Sequence, residues 1–392
     1  ELVCSNSLKS DDTARPAGQL KNELLTLGSL LMEAASLTRV PAGCALAVDR
    51  DQFAAHVQSR LESHPNITFI RKEITEIPQQ NAIIATGPLT SPALFSVLQE
   101  KIGDNGYFYD AIAPVVETDS IDFSNAYYGN RWGKGDDPMA YINCPLDREQ
   151  FEALVVAIRE SAKVPLRSFE DPKYFESCLP VEVMAERGMD VLRYGPLRPI
   201  GLRHPETGEK PWAVLQLRTE NSHRSSYNLV GFQTRMTYPE QDRVIKLIPA
   251  LREAVILRHG EMHRNSFFNA PVALEGGMKI PGLRSVYLSG LLLGVEGYVE
   301  SIAAGLLTAM YLLADLSGTT LPALPQTTCM GGLQSHISIP SGQYSPTNVH
   351  FGLWPRIDGK MPKKHRHEAL IKRSQQDFTA WYNTLPPLFQ VQ

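Results

Sequence analysis

The sequence predicts an α/β core interrupted by an α+β insertion, and three observations predict it. Short apolar runs alternate with amphipathic helical spacings near the start of the chain and again near its end. Between them, Tyr107 to Thr118 and Ala213 to Thr234 are dense in β-branched and aromatic residues. Finally, Val286 to Leu307 (VYLSGLLLGVEGYVESIAAGLL) has the pattern of a buried strand, a turn carrying Gly290, Gly294 and Gly297, and a helix of small and apolar residues. The expected division is 1–104 and 276–392 as two parts of one α/β domain, with 105–275 as the insertion.

The elements follow in order. Residues 20 to 36 have helical apolar spacing. Asp51 to Ser63 is an amphipathic helix with Phe53, Val57 and Leu61 four apart on one face. Ile67 to Ile77 alternates like a strand, and Asn81 to Thr86 is a buried strand ending in Gly87-Pro88. Ser91 and Pro92 supply an N-cap and a first-turn proline for a helix to Ile102. In the insertion, Asp147 caps a helix from Arg148 to Lys163, and Pro239 opens one that runs to about Ile248. After the glycine turn a helix spans Tyr298 to Leu316 and stops at Ser317-Gly318. Gly318 to Pro362, rich in Pro, Gly, Ser and Thr, has loop composition, and 366–384 is a last amphipathic helix.

Composition narrows the function classes. A net charge of −4 rules out a global basic field, so any nucleic-acid contact must use a local patch. Five cysteines without tight spacing form no disulfide framework and no zinc motif, which points to a reducing cytoplasm. The most apolar stretch, Leu288 to Leu316, carries Glu296, Glu300 and Asp315, the pattern of a buried helix and not of a membrane span. No signal peptide is expected. The opening ELVCSNSL resembles the middle of a protein, so a cleaved or truncated N-terminus is expected.

Five constellations can carry chemistry. Cys4 sits among Ser5, Asn6 and Ser7, where a polar turn can stabilise a thiolate. Cys178, in FESCLPVE, follows Glu176 by two residues and precedes Pro180, so acid and nucleophile can share a turn. Cys44, Cys144 and Cys329 lie in apolar or proline-flanked contexts and are expected to be structural. His259 and His263 are four apart in RHGEMHRN, but Gly260 interrupts them and no third metal ligand is evident. The run Arg356 to Arg373 holds Lys360, Lys363, Lys364, Arg366, Lys372 and Arg373, with Phe351 and Trp354 upstream, a composition suited to phosphate contact and base stacking or to a solvated face. Last, the glycine turn places backbone N–H groups at a helix start, where they can meet an anionic or carbonyl-rich ligand.

ELVCSNSL, VPAGCALAVDRDQF (Val40 to Phe53), IIATGPLTS (Ile83 to Ser91), YINCPLDREQF (Tyr141 to Phe151), FESCLPVEVMAERG (Phe175 to Gly188), YGPLRPIGL (Tyr194 to Leu202), YNLVGFQT (Tyr227 to Thr234), MHRN and GVEGYVES stand in one order along nearly the whole chain. In these motifs the sequence resembles the TrmFO family, bacterial folate- and FAD-dependent tRNA uracil-5-methyltransferases related to GidA-type flavoproteins. The resemblance implies a Rossmann-like FAD-binding domain with an α+β insertion. It also implies that a cysteine thiolate adds to uracil C6 and makes C5 nucleophilic. C5 then takes a one-carbon unit from 5,10-methylenetetrahydrofolate with FAD, and NADPH or NADH supplies electrons. The product is 5-methyluridine in the T loop of tRNA, bound through its T-arm; no protein partner and no membrane are implied.

By the same resemblance Cys178 and Cys4 are the catalytic cysteines, with the choice between them open. Thr86, Gly87, Gly290, Gly294, Val295, Glu296, Gly297 and Tyr298 match FAD-contacting segments, and His263 and Asn265 lie in a motif that reaches flavin or folate. The chain departs from the family in three ways. Leu291-Leu292-Leu293 replaces a Gln-Ile-Thr found in many relatives, and His259 replaces a tyrosine. The opening strand, G-x-G-x-x-G turn and helix have no counterpart; such a unit takes roughly 30 residues or more, and the chain alone is expected to hold FAD poorly. Two alternatives stand beside this reading. One is a GidA-type wobble-uridine enzyme, which is longer and has a GTxGYEEA-like turn. The other is a non-catalytic fragment that binds tRNA.

Overall fold

The computed structural model describes residues 2, 4–103, 105–135, 137–165, 179–340, 344–357 and 362–390. In chain order the strands and helices are β1 (Ser7–Ser10), α1 (Pro16–Thr26), α2 (Leu30–Leu37), β2 (Arg39–Val40), β3 (Ala45–Val48), α3 (Arg50–Glu62), β4 (Gln80–Ile84) and α4 (Pro92–Ile102). The middle of the chain forms β5 (Asn105–Ala111), β6 (Val115–Glu117), β7 (Tyr127–Tyr128), β8 (Tyr141–Leu146), α5 (Arg148–Glu160), α6 (Val181–Glu186), α7 (Val191–Tyr194), β9 (Ala213–Thr219), β10 (Ser226–Leu229), α8 (Tyr238–Ile245) and β11 (Ile256–Arg258). The last part forms β12 (Met262–Phe268), α9 (Ala270–Ala273), β13 (Arg284–Leu288), α10 (Tyr298–Ser317), α11 (Cys329–Ser338) and α12 (Lys363–Thr384).

Most sequence expectations hold because their local signals are strong. Ser91 accepts from the Leu94 N–H at 3.4 Å ahead of Pro92, and Asp147 forms a full capping box with Gln150. Several local expectations fail. The strand at Asn81 to Thr86 runs from Gln80 to Ile84 and only Ile84 is buried. Residues 20–36 make two helices, because Gly28 turns left-handed at φ 71° and breaks the periodicity. Ile67 to Ile77 is irregular: no described strand pairs with it, and Ile67, Phe69, Ile70 and Ile74 are exposed. The loop expected from Gly318 to Pro362 contains α11, nucleated by Thr328, whose side chain accepts from the Gly331 N–H at 2.9 Å. Its glycines are packing residues, since a Cβ on Gly331 would stand 1.9 Å from the Pro325 carbonyl oxygen.

The chain divides into two compact units. Unit 1 comprises Glu1–Ser7, Ala35–His56 and Phe108–Arg264; unit 2 comprises Leu8–Ala34, Val57–Tyr107 and Asn265–Gln392. Periodicity places all of 1–104 in one domain, whereas Ala35–His56 clusters with the middle segment. Asn6 shows one reason: its Nδ2 donates to the carbonyls of Val48 (3.0 Å) and Thr219 (2.9 Å), tying the first residues and β3 to β9.

Unit 1 is built on an antiparallel sheet in the order β11-β6-β10-β9-β8-β7. The register pairs Ile142 with Leu217 and Cys144 with Leu215, so these face one side, where Phe151, Leu154 and Ile158 of α5 complete a dry core. The alternate residues make a polar face: Asn143 opposes Gln216, and Arg218 opposes both Tyr141 and Asn228.

Unit 2 pairs β4 and β13 in parallel, Ile84 against Leu288, with α10 packed on both. Beside them α1, α11 and α12 meet around Glu23, which is fully buried and accepts from the N–H groups of Cys329 (2.8 Å) and Met330 (2.9 Å) and from Ser374 Oγ (3.3 Å). Burial pushes its carboxyl up to about 7, and these donors only partly oppose the shift. Contrary to the sequence expectation, α10 is long and apolar enough to cross a membrane. Within the unit, however, its Val299, Ala303, Leu307 and Met310 are buried.

Candidate functional site: a glycine turn and a clamped cysteine segment

In unit 2, β4 and β13 both end in left-handed glycines, Gly87 (φ 69°) and Gly290 (φ 66°). Each opens a short 3₁₀ turn, Gly87–Leu89 and Gly290–Leu293, and the two turns lie against one another. The exposed Thr86 bonds to Thr90 through their hydroxyls at 2.6 Å, closing the first turn. Parallel ladders end here in phase, which is where α/β sheets present backbone to ligands.

The glycines divide by what surrounds them. A methyl group on Gly87 would meet nothing within 4 Å, and one on Gly290 would meet only Ser301, at 3.8 Å. Gly294 (φ 79°) is closed off by Tyr344, whose hydroxyl would lie 2.6 Å from a Cβ and donates to the Leu293 carbonyl. Gly297 (φ 111°) is closed off by Glu300 Oε2 and Lys9 Nζ, both of which occupy the place a Cβ would take. Val295 is buried and bridges to Thr347, whose N–H donates to the Gly294 carbonyl at 3.0 Å while its carbonyl accepts from the Glu296 N–H at 2.8 Å. Gly294, Val295 and Gly297 therefore shape the turn, while Gly87 and Gly290 leave backbone approachable.

The first ladder bond of α10 is Ser301 N–H to the Gly297 carbonyl (2.9 Å), so the amides of Tyr298, Val299 and Glu300 stand ahead of the helix ladder. Glu300 is fully buried there, paired with Lys9 Nζ at 2.9 Å and accepting from the Val349 N–H at 3.0 Å. Two carboxylates, Glu296 and Glu300, at this helix start oppose a phosphate and suit a neutral, carbonyl-rich or hydroxylated group. Of Leu291-Leu292-Leu293, Leu291 is half-buried, and Leu292 and Leu293 are buried in the core.

In unit 1 the half-buried Cys4 lies on a segment gripped by Arg50. The Arg50 guanidinium donates to the carbonyl of Leu2 (2.7 Å) and to that of Cys4, and its Nε pairs with Glu220 Oε2 at 2.7 Å. Arg258 approaches the same carboxylate oxygen at 3.7 Å. Arg218 Nε donates to Asn6 Oδ1 at 3.2 Å, fixing the next turn. Asp49, adjacent to Arg50, is pushed up by burial but held lower overall by hydrogen bonds from Ser222 and Gln52. Sequence reasoning did not single out Arg50, Glu220, Arg218 or Asn6. The available signal was charge embedded in apolar motifs, as at Arg50 in VPAGCALAVDRDQF.

Cys178 lies outside the described residues. The chain just after it is anchored firmly: the Val181 N–H donates to the Gln233 carbonyl at 2.8 Å. Glu182, fully buried, accepts from Thr234 Oγ1 (3.0 Å) and the Arg235 N–H (2.6 Å), and burial raises its carboxyl above the usual range. Cys144 and Cys329 are buried thiols held well above the ordinary range by desolvation, whereas Cys44 is exposed and not buried as its apolar context implied. His263 is half-buried on the unit 1 part of β12, and Asn265, buried, is on its unit 2 part. His259 bonds Asp242 at 3.0 Å and stacks on Tyr238, and no group of three metal-ligating side chains occurs among the described residues.

The basic segment is only partly an exposed cationic face. Lys360 is outside the described residues, as are the side chains of Lys363 and Lys364. Arg366 and Lys372 are exposed. Arg373 donates to the carbonyls of Pro355 and Arg356, so it fastens α12 to the preceding loop. Trp354 is buried with its Nε1 donating to the Thr328 carbonyl at 3.0 Å, and is no stacking platform.

This architecture, an α/β unit with a parallel pair ending in glycine turns, is that of the GidA-like flavoprotein fold. An Aquifex aeolicus GidA structure superposes with a TM-score of 0.67 over 99% of this chain and 68% of that one, at 13% identity. The family model for glucose inhibited division protein A matches residues 1–320. Two curated relatives are methylenetetrahydrofolate–tRNA-(uracil-5-)-methyltransferases, TrmFO. The Geobacter sulfurreducens protein is 47% identical over 387 residues, covering 98% of this chain and 89% of its own. The Pelobacter propionicus protein is 46% identical over 390 residues, covering 99% and 86%. The chain belongs to the TrmFO branch of the GidA family.

Proposed function

We propose that this chain methylates C5 of a T-loop uridine in tRNA, with 5,10-methylenetetrahydrofolate as one-carbon donor, FAD as redox cofactor and NADPH or NADH as reductant. The observation that carries the reading is the 47% identity with a methyltransferase over 98% of the chain. The glycine turn fits FAD: Gly87 and Gly290 leave open backbone at two strand ends, and the carboxylates of Glu296 and Glu300 at the start of α10 favour a ring or polyol over a pyrophosphate. Thr86, Gly87, Gly290 and Tyr298 would touch it, on a turn shaped by Gly294, Val295, Glu296 and Gly297. FAD, when bound, supplies the redox chemistry that turns a methylene into a methyl.

The chain's own part is covalent and positional. A thiolate of Cys178 or Cys4 adds to uracil C6 and makes C5 nucleophilic; C5 would then bond to the one-carbon unit, and loss of the C5 proton expels the same thiolate from C6. His263 and Asn265 would line the folate or flavin. Lys360, Lys363, Lys364, Arg366, Lys372 and Arg373 would border the tRNA, with Arg373 acting through the loop it fastens. The free thiols this requires suit a reducing cytoplasm.

The test supplies FAD far above stoichiometric amounts, since the chain alone is expected to hold it poorly, with NADPH, tRNA transcript and methylene-labelled methylenetetrahydrofolate. Label in T-loop 5-methyluridine is expected. Label at the wobble position, or none with the protein folded, contradicts the proposal.

A further inference from the structure

The motif YGPLRPIGL, Tyr194 to Leu202, has no task in the site above. In unit 1 it interlocks with the turn Arg131–Gly133. Arg131 lies beneath, its Nε donating to Gln216 Oε1 (2.7 Å) and its Nη1 to the carbonyls of Arg198 (2.9 Å) and Ile200 (2.6 Å). The Trp132 N–H donates to the Gly201 carbonyl at 2.7 Å. Trp132 itself is left-handed, φ 56° and ψ 20°, which a bulky residue adopts only when its surroundings hold it there. Gly201 (φ 80°) lies so close to the indole that a Cβ would stand 2.8 Å from the ring.

All this support displays the ring without covering it. Trp132 is 60% exposed, whereas Trp354 and Trp381 are each 4% exposed and Trp212 lies under the Arg193 guanidinium at 3.8 Å. Lys134 beside the turn and Arg198 in the motif are exposed cations. Arg203, just after the motif, is exposed with its Nη1 donating to the Gly208 carbonyl at 3.0 Å and with the exposed Glu206 and Glu209 following it. Tyr194, at the end of α7, is an exposed aromatic. Asp137, just beyond this turn, is paired with Arg224. A rigid exposed indole beside exposed cations has the two parts that single-stranded nucleotides need, a stacking face and phosphate neutralisation. The chain's net charge of −4 means such cations act locally.

We propose that Trp132, seated on Gly201, is a stacking platform for an unpaired base of an RNA loop, with Lys134, Arg198 and Arg203 neutralising the flanking phosphates. This rests on the tRNA reading above and adds a docking surface in unit 1 that is distinct from the basic helix of unit 2. The test titrates the full chain with T-arm stem-loop RNA, following tryptophan emission and filter binding at two salt concentrations.

RNA is expected to quench wild-type emission and to leave Trp132→Phe nearly unquenched. Trp132→Ala should raise Kd about tenfold. Gly201→Ala, which displaces the indole without removing it, should raise Kd in the same direction. Arg198→Ala should reduce the slope of log Kd against log salt by about 1. Thermal midpoints establish that the variants are folded, and if Trp132→Ala is not, Trp132→Phe and Arg198→Ala decide. If the wild type binds the RNA and folded variants bind equally well, the platform fails and the tRNA reading stands. If the wild type binds no T-arm RNA, the tRNA reading fails and takes the platform with it. Quenching of Trp132 by folinic acid in competition with RNA would reassign the surface to folate and overturn the proposal.

Discussion

In unit 1 the segment bearing Cys4 is held by a guanidinium: Arg50 grips two backbone carbonyls and is itself held by Glu220, with both side chains largely buried. In unit 2 the turn bearing Gly297 is held by the absence of a side chain, because Lys9 and Glu300 occupy the space a Cβ would take. The same end, fixing a short stretch of backbone, is reached by placed charge in one unit and by left-handed glycine in the other. The two should therefore break in opposite ways, unit 1 when a side chain is removed and unit 2 when a methyl is added.

The largest effects should come from the thiols. Of Cys178→Ala and Cys4→Ala, the one that removes the attacking thiol is expected to lower methyl transfer by at least about 10³-fold, the scale of nucleophile removal, with tRNA binding retained, and the other to lower it less. Unchanged turnover in either variant removes that residue from the chemistry. Next, Arg50→Ala leaves the buried Glu220 with only the more distant Arg258 and should cost about 2–4 kcal/mol in urea unfolding, less than a fully stranded buried charge. Arg50→Ala with Glu220→Leu should cost clearly less, and equal losses would show that the pair is not what holds the segment.

Glu23 sharpens the comparison in unit 2, because there charge is a burden. Its folded-state value of about 7 lies above the usual 4.5, so the folded protein holds this proton more tightly than the unfolded chain. Its stabilising contribution is complete below about pH 4.5 and lost as pH rises to about 7, a change of order 3 kcal/mol. Glu23→Gln should flatten that decline in unfolding free energy, and an unaltered slope would place the titration elsewhere. Smallest are the glycines. Gly297→Ala should cost about 1–3 kcal/mol, and Gly318→Ala, left-handed but with open space around it, about 1 kcal/mol. Equal costs would mean that conformation alone matters and the Lys9–Glu300 contact does not.

The difference also explains what was legible in the sequence. Gly290, Gly294 and Gly297 announce themselves, because glycine density before a helix is a local signal, and so do caps such as Asp147-Gln150. What the sequence could not separate is Gly87 and Gly290, with open space, from Gly294 and Gly297, which are closed by Tyr344, Lys9 and Glu300 through folding. The Arg50 clamp was hidden for the same reason, since its partner is 170 residues away. Trp354 has the neighbours of a stacking residue, yet its indole bonds to Thr328 inside the core, while nothing in the local sequence of Trp132 shows a left-handed, displayed indole. Alternation misled at Ile67 to Ile77, where the pattern of a strand exists without a described partner strand.

The central claim is that a thiol of unit 1 attacks the uracil ring. It is tested most directly with tRNA carrying 5-fluorouridine in the T loop, where fluorine at C5 blocks release of the added thiolate. The account predicts a stable protein–RNA adduct whose peptide map places the nucleotide on Cys178 or Cys4, and which vanishes in the matching alanine variant. Turnover of unmodified tRNA with no adduct to either cysteine would contradict it.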